Sequence, residues 1–186
     1  ERFVAYGLKL DGFFNFKIHT MKKIFTLLAL TISFSMNAQL ATVTEDSNTG
    51  QRLSTSTAAN HGDIGNRAVD LSYSSGASAT RGATGSYSTA MGRTTTASAE
   101  SSTAMGGFTT ATGNYSTAMG TNTAASGYAS TAMGIFTTAS ASYSTAMGGD
   151  TTASGNYSTA MGSFTTASDY SSLVIGRYNS SGSSVT

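Results

Sequence analysis

Residues 151–162 decide the fold and read Thr-Thr-Ala-Ser-Gly-Asn-Tyr-Ser-Thr-Ala-Met-Gly. Alanine recurs every seven residues in this stretch and its surroundings, and the pentapeptide Ser-Thr-Ala-Met-Gly occurs six times at intervals of fourteen. The residues at the methionine position, with Ile175 next in the series, are Met91, Met105, Met119, Met133, Met147, Met161 and Ile175. A fixed period of this length indicates a repeat architecture.

Each fourteen-residue unit splits into two related halves. Residues 113–119 read Gly-Asn-Tyr-Ser-Thr-Ala-Met, and residues 120–126 read Gly-Thr-Asn-Thr-Ala-Ala-Ser. We call these the Met half and the hydroxyl half, and we number the positions in each from one to seven. The halves differ chiefly at position seven, which is Met in one half and Ser or Thr in the other.

The repeat predicts an all-β fold, a single-stranded parallel β-solenoid with fourteen residues per coil. Runs such as Ser-Thr-Ala-Met alternate sides when extended, and Gly at every seventh position supplies the freedom in φ that a corner requires. Helix is disfavoured because Gly and Thr are dense throughout the repeat. A disordered Ser/Gly linker is disfavoured as well, because a linker has no reason to keep Met, Ala and Gly at fixed places.

Strand alternation then sorts the side chains into an interior and two outer faces. A coil of fourteen residues is thin, so we expect Ala at position six and Ser or Thr at position four to point inward. The buried hydroxyls would need to bond backbone groups at the corners. If Thr and Met pointed inward instead, the Ala face would become the close-packed contact.

Positions five and seven would face outward, which gives one apolar face and one hydroxyl face. A continuous methionine stripe is rarely left exposed on a soluble monomer, so we expect another copy of the chain to cover it. The predicted subunit interface consists of Met91, Met105, Met119, Met133, Met147, Met161 and Ile175. The predicted exposed binding face consists of Thr96, Thr110, Thr138, Thr152 and Thr166.

Aromatic side chains recur at both expected corners. Residues Phe108, Phe136 and Phe164 stand twenty-eight apart at one corner, and Tyr87, Tyr115, Tyr143 and Tyr157 fall near the other. Such residues most often pack over a turn. A row of exposed rings can also bind a partner surface.

Composition argues against catalysis and against nucleic-acid binding. The chain has no Cys, which excludes disulfides and thiolate metal sites. From Gln39 onward it has five basic and seven acidic residues, so no basic nucleic-acid surface is expected. The acids form no repeated ladder, and we interpret His61, near Asp63, as a solvated loop histidine. We therefore expect no enzyme activity, no metal and no cofactor.

The beginning of the chain resembles an export signal. Residues 21–38 combine Met-Lys-Lys, a short apolar run and a small residue at Ala38, which predicts a cleaved signal peptide. The apolar run is too short for a membrane span, so no spanning segment is expected after cleavage. We interpret residues 1–20 as an upstream segment that is not translated, residues 39–72 as a polar N-terminal region and cap, residues 73–178 as the repeats, and residues 179–186 as a truncated tail.

The repeat units resemble the fourteen-residue head repeats of trimeric autotransporter adhesins, the YadA-like heads. That resemblance implies a left-handed parallel β-roll, a homotrimer, and attachment to a protein or glycan receptor outside a Gram-negative cell. It also implies a surface or outer-membrane location. From the residues alone, a second hypothesis is an ice- or glycan-binding solenoid that uses the regular Thr/Ser face.

Overall fold

The computed structural model describes Lys23 and residues 40–181, and the latter form a parallel β-solenoid. Two sheets face each other across the coil. The ten-stranded sheet, which we call the Met sheet, has the order β1-β2-β3-β5-β7-β9-β11-β13-β15-β17. The seven-stranded sheet, which we call the hydroxyl sheet, has the order β16-β14-β12-β10-β8-β6-β4.

From β3 onward, five-residue strands of the Met sheet alternate along the chain with two-residue strands of the hydroxyl sheet. The Met sheet contains β1 Leu40–Glu45, β2 Asn48–Leu53, β3 Val69–Tyr73, β5 Thr89–Arg93, β7 Thr103–Gly107, β9 Thr117–Thr121, β11 Thr131–Ile135, β13 Thr145–Gly149, β15 Thr159–Ser163 and β17 Leu173–Arg177. The hydroxyl sheet contains β4 Gly82–Ala83, β6 Thr96–Ala97, β8 Thr110–Ala111, β10 Ala124–Ala125, β12 Thr138–Ala139, β14 Thr152–Ala153 and β16 Thr166–Ala167.

Neighbouring coils pair in register, residue for residue. In the Met sheet, Thr131 pairs with Thr145, Ala132 with Ala146, and Met133 with Met147. This is the arrangement that a fourteen-residue repeat demands, because any other register would place unlike residues opposite each other. The predicted solenoid and its period are confirmed.

The interior is made of position-six alanines and position-four hydroxyl residues. Ala90 through Ala167 at seven-residue intervals are fully buried, as are Ser102, Thr109 and their equivalents along the coil. Thr and Met at positions five and seven point outward from the Met sheet. Of the two parities that the sequence allowed, the structure has the one with alanine inside.

The buried hydroxyls do not all behave as predicted. Ser102 and Ser144 donate to the corner carbonyls of Ala99 and Ala141, at 2.8 and 2.7 Å. The equivalent Ser116 has no hydrogen-bond partner for its hydroxyl. The same holds for Ser88, Thr95, Thr109, Thr123, Ser130, Thr137, Thr151, Ser158 and Thr165. The expectation of corner bonding is wrong for these ten residues, each of which follows a glycine three residues earlier, where the two bonded serines follow alanine.

Glycine does not supply the corner conformation at every seventh residue either. Gly120, which opens the hydroxyl half, has φ of 120°, but Gly113, which opens the Met half, does not have a positive φ. Both corners instead turn at position three, where Tyr115 and Asn122 have φ of 61° and 52°. Position one of the Met half is tightly packed in the coils where it is glycine, whereas Ala99 and Ala141 occupy it in two others. A Cβ on Gly113 would meet the carbonyl oxygen of Gly127 in the next coil.

The N-terminal end is closed by an antiparallel hairpin. Strands β1 and β2 pair from Leu40 with Leu53 to Glu45 with Asn48, and β2 then pairs in parallel with β3. A short 3-10 helix, Ala58–Asn60, lies in the connection to β3. The first coil strand β3 spans the predicted boundary between residues 39–72 and 73–178.

In this cap the inward residues of β3 are polar. Ala68 before the strand is buried, but the inward residues of the strand are Asp70 and Ser72, while Val69 and Leu71 face outward. The interpretation of His61 as a solvated loop residue is wrong. Its side chain is 1% exposed and pairs with Asp70 at 2.9 Å.

The predictions for residues 1–20 and for the signal peptide at 21–38 lie outside the described residues, apart from Lys23, and so does most of the predicted tail at 179–186. Within the described part of the chain, no helix has the length and apolar character needed to cross a membrane.

Candidate functional site

The outer face of the Met sheet carries one unbroken row of apolar side chains. Met91 pairs with Met105 in the next coil, and the pairing continues strand by strand to Met161 and Ile175. The structure therefore brings together all seven residues of the predicted interface on a single face. Whether a second copy covers them stays a prediction.

The row extends further toward the N terminus than the repeat suggested. Leu71 pairs with Met91 across β3 and β5. From Leu71 to Ile175 the row crosses eight strands, or about 34 Å at a strand spacing of about 4.8 Å. Sequence reasoning missed Leu71 because the connection between β3 and β5 is longer than the repeat.

Burial differs between the ends and the middle of this row. Met91 is 40% exposed and Ile175 is 56% exposed, whereas Met105 through Met161 are half-buried by the side chains above and below them. Threonines at position five lie beside the methionines, and they are half-buried as well. The centre of this face is an apolar row, and the exposed Arg93 and Arg177 lie at the ends of β5 and β17.

The outer face of the hydroxyl sheet carries the predicted threonine row. Position five holds Thr96, Thr110, Thr138, Thr152 and Thr166 on β6, β8, β12, β14 and β16. Each is half-buried, and the position-seven residues beside them, such as Ser98 and Thr112, are exposed. Ala124 on β10 interrupts the row at its centre. These five residues thus share one outer face, and their role as a binding face stays a prediction.

Rows of aromatic rings line the corners between the two faces. The rings of Tyr143 and Tyr157 stack with centroids 4.8 Å apart. At the opposite corner, Phe164 stacks on Tyr178 at 5.0 Å, and the Arg93 guanidinium lies 4.5 Å from the Phe108 ring centre. All these aromatic rings are exposed. They extend into solvent rather than covering the turns.

A cluster of charged side chains fills the cap where alanine fills the coils. Arg52 contacts Glu45 at 2.8 Å through Nη1 and Asp70 at 3.5 Å through Nε. Asp70 also accepts a 2.6 Å hydrogen bond from the Ser72 hydroxyl. Gly82, in the facing sheet, makes room for this carboxylate, since a Cβ there would collide with it.

Glu45 is the member of the cluster with a shifted pKa. Burial opposes its ionisation, but the hydrogen bonds from Arg52 and from the Ile64 amide, together with the Arg52 charge, lower the pKa of Glu45 below its ordinary value. The Ile64 amide donates at 2.7 Å. The cluster thus holds an ionised carboxylate inside the cap, which is a structural arrangement.

Metal-binding chemistry has no evident place in the described residues. No group of three or more His, Cys, Asp or Glu side chains lies close enough together in that part of the chain to hold an ion. The cap cluster has one histidine and two carboxylates, and the Arg52 guanidinium already occupies the space between Glu45 and Asp70.

The two sheets, the in-register coils and the outward faces define a parallel β-solenoid with a period of about fourteen residues. The family model described as the YadA head domain repeat (2 copies) matches residues 83–109, 97–123, 125–151 and 153–179, about half of the chain. The chain belongs to this family of non-enzymatic adhesin heads. No match was found among curated proteins or among solved structures.

Proposed function

We propose that this chain is the head of an adhesin that is exported to the surface of a Gram-negative cell and acts there as a homotrimer. Its role is attachment to host tissue, matrix or other cells, without catalysis. Membership of the YadA head family supports the adhesive role and suggests self-association in a left-handed β-roll.

The apolar row on the Met sheet is the observation that carries the self-association. The alanine interior buries little apolar surface per residue, so a coil of this width gains little stability from its own core. The Met strand is apolar on both sides, with alanine inside and methionine outside, as expected for a strand that is buried on both faces. Three copies that pack their methionine rows together would supply the missing core.

Sedimentation of the full chain tests the assembly. We expect a trimer for the native sequence and a monomer for the double variant Met119→Asp/Met133→Asp, because each buried carboxylate in the interface would be unpaired. The matched control is Thr110→Asp/Thr138→Asp on the hydroxyl sheet, which should remain trimeric. A native monomer, or a trimer that survives both methionine changes, would contradict the proposal.

Attachment is tested separately. Beads coated with the full chain should bind to immobilised matrix proteins or to cells, and beads coated with the methionine variant should bind more weakly, because adhesion by a trimer gains avidity. Failure of native beads to bind any such surface would refute the adhesive role while leaving the trimer intact.

A second candidate function is favoured by the hydroxyl face. Its paired rows of Thr and Ser repeat at the strand spacing, so they could match a regular surface such as ice or a packed glycan. Thermal hysteresis in dilute solution of the full chain would support this function, and Thr138→Tyr at the centre of the row should remove it. The interruption at Ala124 weakens the match to a strict lattice.

A further inference from the structure

Exposed aromatic rings stand at both ends of the Met-sheet strands. We call the corner that precedes each of these strands the Tyr corner, and the corner that follows each of them the Phe corner. The Tyr corner carries the exposed rings of Tyr87, Tyr115, Tyr128, Tyr143, Tyr157 and Tyr170. The Phe corner carries the exposed rings of Phe108, Phe136, Phe164 and Tyr178. The two rows flank the methionine row, and a single chain leaves both of them in solvent.

The two rows differ in form. In the Tyr corner the neighbouring rings from Tyr115 to Tyr170 have centroids between 4.8 and 5.6 Å apart, so they pack on one another. In the Phe corner the phenylalanines alternate with Asn122 and Asp150, so they stand two coils, or about 9.6 Å, apart. The Tyr corner is therefore a continuous apolar row, which separate rings that project from another surface can cover from the side.

The methionine row by itself offers little contact area for a trimer. The row is about 34 Å long, and the segment Thr-Ala-Met is about 10 Å wide, so it covers about 300 Å², which two neighbours would share. Stable protein interfaces bury about 800 Å² on each partner. The proposed trimer therefore needs additional surface, and the two corners provide the nearest exposed apolar side chains.

Cyclic symmetry decides which corners meet in such a trimer. Each copy contacts its two neighbours through two different surfaces, because a cyclic interface of three copies is heterologous. If three Met sheets face one axis that runs along the methionine rows, all their strands point the same way around that axis. The end of each strand then lies next to the beginning of the equivalent strand in the neighbouring copy.

We propose that the Phe corner of each copy docks on the Tyr corner of the next copy, so that three identical seams enclose the methionine rows. The proposal rests on the homotrimer of the proposed function and names the second surface that holds it together. At the level of β11, the seam brings Phe136 of one copy against Tyr128 of the next. These residues are 56% and 45% exposed in a single chain, and burial of their apolar surface favours association.

The charges of the two corners are complementary. The Phe corner carries Arg93 and Arg177, and the Tyr corner carries Glu100 and Asp169. All four residues are exposed, and none of them forms an ion pair within the described part of the chain. Asp169 precedes β17 and Arg177 ends it, so cyclic symmetry brings the two together at one level of the seam. Arg93 and Glu100 are offset by one coil, or about 4.8 Å, which an arginine side chain can span.

Both arginines are held at the Phe corner by aromatic rings. The Arg93 guanidinium lies 4.5 Å from the Phe108 ring centre, and the Arg177 guanidinium lies 4.8 Å from the Tyr178 ring centre. A guanidinium that stacks on a ring keeps the N–H groups at its edge available for a carboxylate. The rings therefore place both positive charges where the neighbouring copy presents its acidic residues.

Two corner charges have the opposite sign and find other partners in the seam. Asp150 lies in the Phe corner, and at its level the next copy presents Tyr143, whose hydroxyl can donate a hydrogen bond. Arg67 lies in the Tyr corner before β3, and at its level the next copy presents the exposed ring of Tyr73, which can receive a guanidinium on its face.

Charge exchange tests the seam in the full chain. Arg177→Glu and Asp169→Arg each place like charges opposite one another, and we expect each to raise the concentration at which half of the trimer dissociates by about tenfold. The double variant Arg177→Glu/Asp169→Arg should return this concentration to within about threefold of the native value. The two residues stand at opposite ends of one strand, so rescue reports a contact between copies. Thr112→Glu, on the outer face of the hydroxyl sheet, is the control and should dissociate as the native chain does.

Ring removal tests the aromatic contact. Phe136→Asn and Tyr128→Asn introduce the residues that the preceding coil has at the same positions, Asn122 and Asn114, so both variants should keep the native circular dichroism spectrum. We expect each variant to weaken the trimer by about tenfold. The double variant should be weakened by less than the product of the two effects, because the two rings contact each other across the seam.

Sedimentation of these proteins separates the seam from the trimer. Weaker trimers in both single charge variants, with rescue in the double variant, support the seam. A native trimer whose charge variants show no rescue overturns the seam and leaves the trimer in place, and so does a ring double variant that shows the full product of the single effects. A native chain that sediments as a monomer contradicts the proposed trimer, and the seam falls with it.

Discussion

At the scale of single residues, position one of the hydroxyl half brings the backbones of neighbouring coils close together. Gly92, Gly106, Gly120, Gly134, Gly148, Gly162 and Gly176 there have φ between 113° and 126°. A Cβ on Gly120 would collide with the carbonyl oxygen of Gly134 in the next coil. Glycine is therefore required twice over at this position, for its conformation and for its lack of a side chain.

Replacing Gly120 by Ala should destabilise the chain by about 2–4 kcal/mol, because the new methyl group meets backbone that cannot move independently. The matched control is Gly149→Ala, in the same sheet, where no atom lies within 4 Å of the added Cβ and φ is not positive. Chemical denaturation of both variants measures the difference. Equal stability of the two would refute this account of the coil contact.

The buried hydroxyls allow a sharper comparison, since one substitution can be made at two equivalent positions. Ser116→Ala removes a hydroxyl without a partner, and we expect it to be neutral or to stabilise by up to about 1 kcal/mol. Ser102→Ala removes a 2.8 Å hydrogen bond to Ala99 and should destabilise by about 1 kcal/mol. Denaturation midpoints of the two variants show which one is less stable. A greater loss of stability in Ser116→Ala than in Ser102→Ala would contradict this prediction.

Sequence periodicity was sufficient to group alanine with the position-four hydroxyl residues on one face, but the structure was needed to show that this face is the interior. Alternation follows from strand geometry alone and is therefore read directly from the repeat. Ser102 and Ser144, which bond a carbonyl, follow Ala99 and Ala141, whereas Ser116 and the other unbonded hydroxyl residues follow glycine three residues earlier, and only the structure shows that this difference matters.

At the scale of secondary-structure elements, the hairpin β1–β2 ends the Met sheet on its N-terminal side, with β1 as the edge strand. Its inward side chains include Glu45 and Arg52, and they pair with each other rather than with alanine. Charged residues that point inward at an edge discourage further strand pairing. The cap thus completes the core and also disfavours stacking of a second solenoid on the N-terminal end.

The lowered pKa of Glu45 gives the cap a defined response to acid. A carboxyl whose folded-state pKa is depressed contributes stability that is fully present above its unfolded value, here about 4.5, and is lost as pH falls through the folded value. We expect Glu45→Gln to destabilise by about 1 kcal/mol at neutral pH, through loss of charge-assisted hydrogen bonds. Below about pH 4.5 the difference in unfolding free energy between the native chain and Glu45→Gln should become smaller.

Thermal unfolding of both proteins between pH 3 and pH 7 checks this prediction. The control is Thr44→Ser, at an exposed residue of the same strand. The difference in melting temperature between this variant and the native chain should not vary with pH. A stability difference for Glu45→Gln that stays constant down to pH 3 would show that folding does not lower the pKa of Glu45.

Sequence reasoning described the cap less well than the repeats, and His61 shows why. The histidine lies beside polar residues in sequence, which suggested a solvated loop. Its partner Asp70 stands nine residues away and occupies the place of an alanine, since Asp70 pairs with Ala90. A single, non-repeating contact of this kind leaves no periodic signal.

At the scale of the whole described solenoid, residues 40–181 combine a narrow interior with a long apolar face. Alanine and short hydroxyl residues fill the coil, and the larger apolar side chains lie outside it. Each coil contacts only its neighbours, so stability accumulates along the array. Burial of the methionine row against other copies would add the apolar area that the interior lacks.

Stability should therefore depend on protein concentration. If folding and trimer formation are linked, the melting temperature of the full chain should rise by a few degrees for each tenfold increase in concentration. The variant Met119→Asp/Met133→Asp should melt lower and without this dependence. Differential scanning calorimetry over a hundredfold concentration range makes the comparison, and a constant native melting temperature would count against the trimer.

The sequence by itself determined the fold class, the coil length and which side chains share a face, because each follows from a strict period and from strand alternation, but it left open which of the two faces is interior. Only the tertiary structure decided that the left-handed turns fall at position three, that Leu71 extends the methionine row, and that the cap has a charged core. The structure also shows that Tyr128 and Tyr170 contact the tyrosines of neighbouring coils. These two stand at position two, whereas the other tyrosines of the row stand at position three. The sequence does not show that side chains from two different positions meet in space.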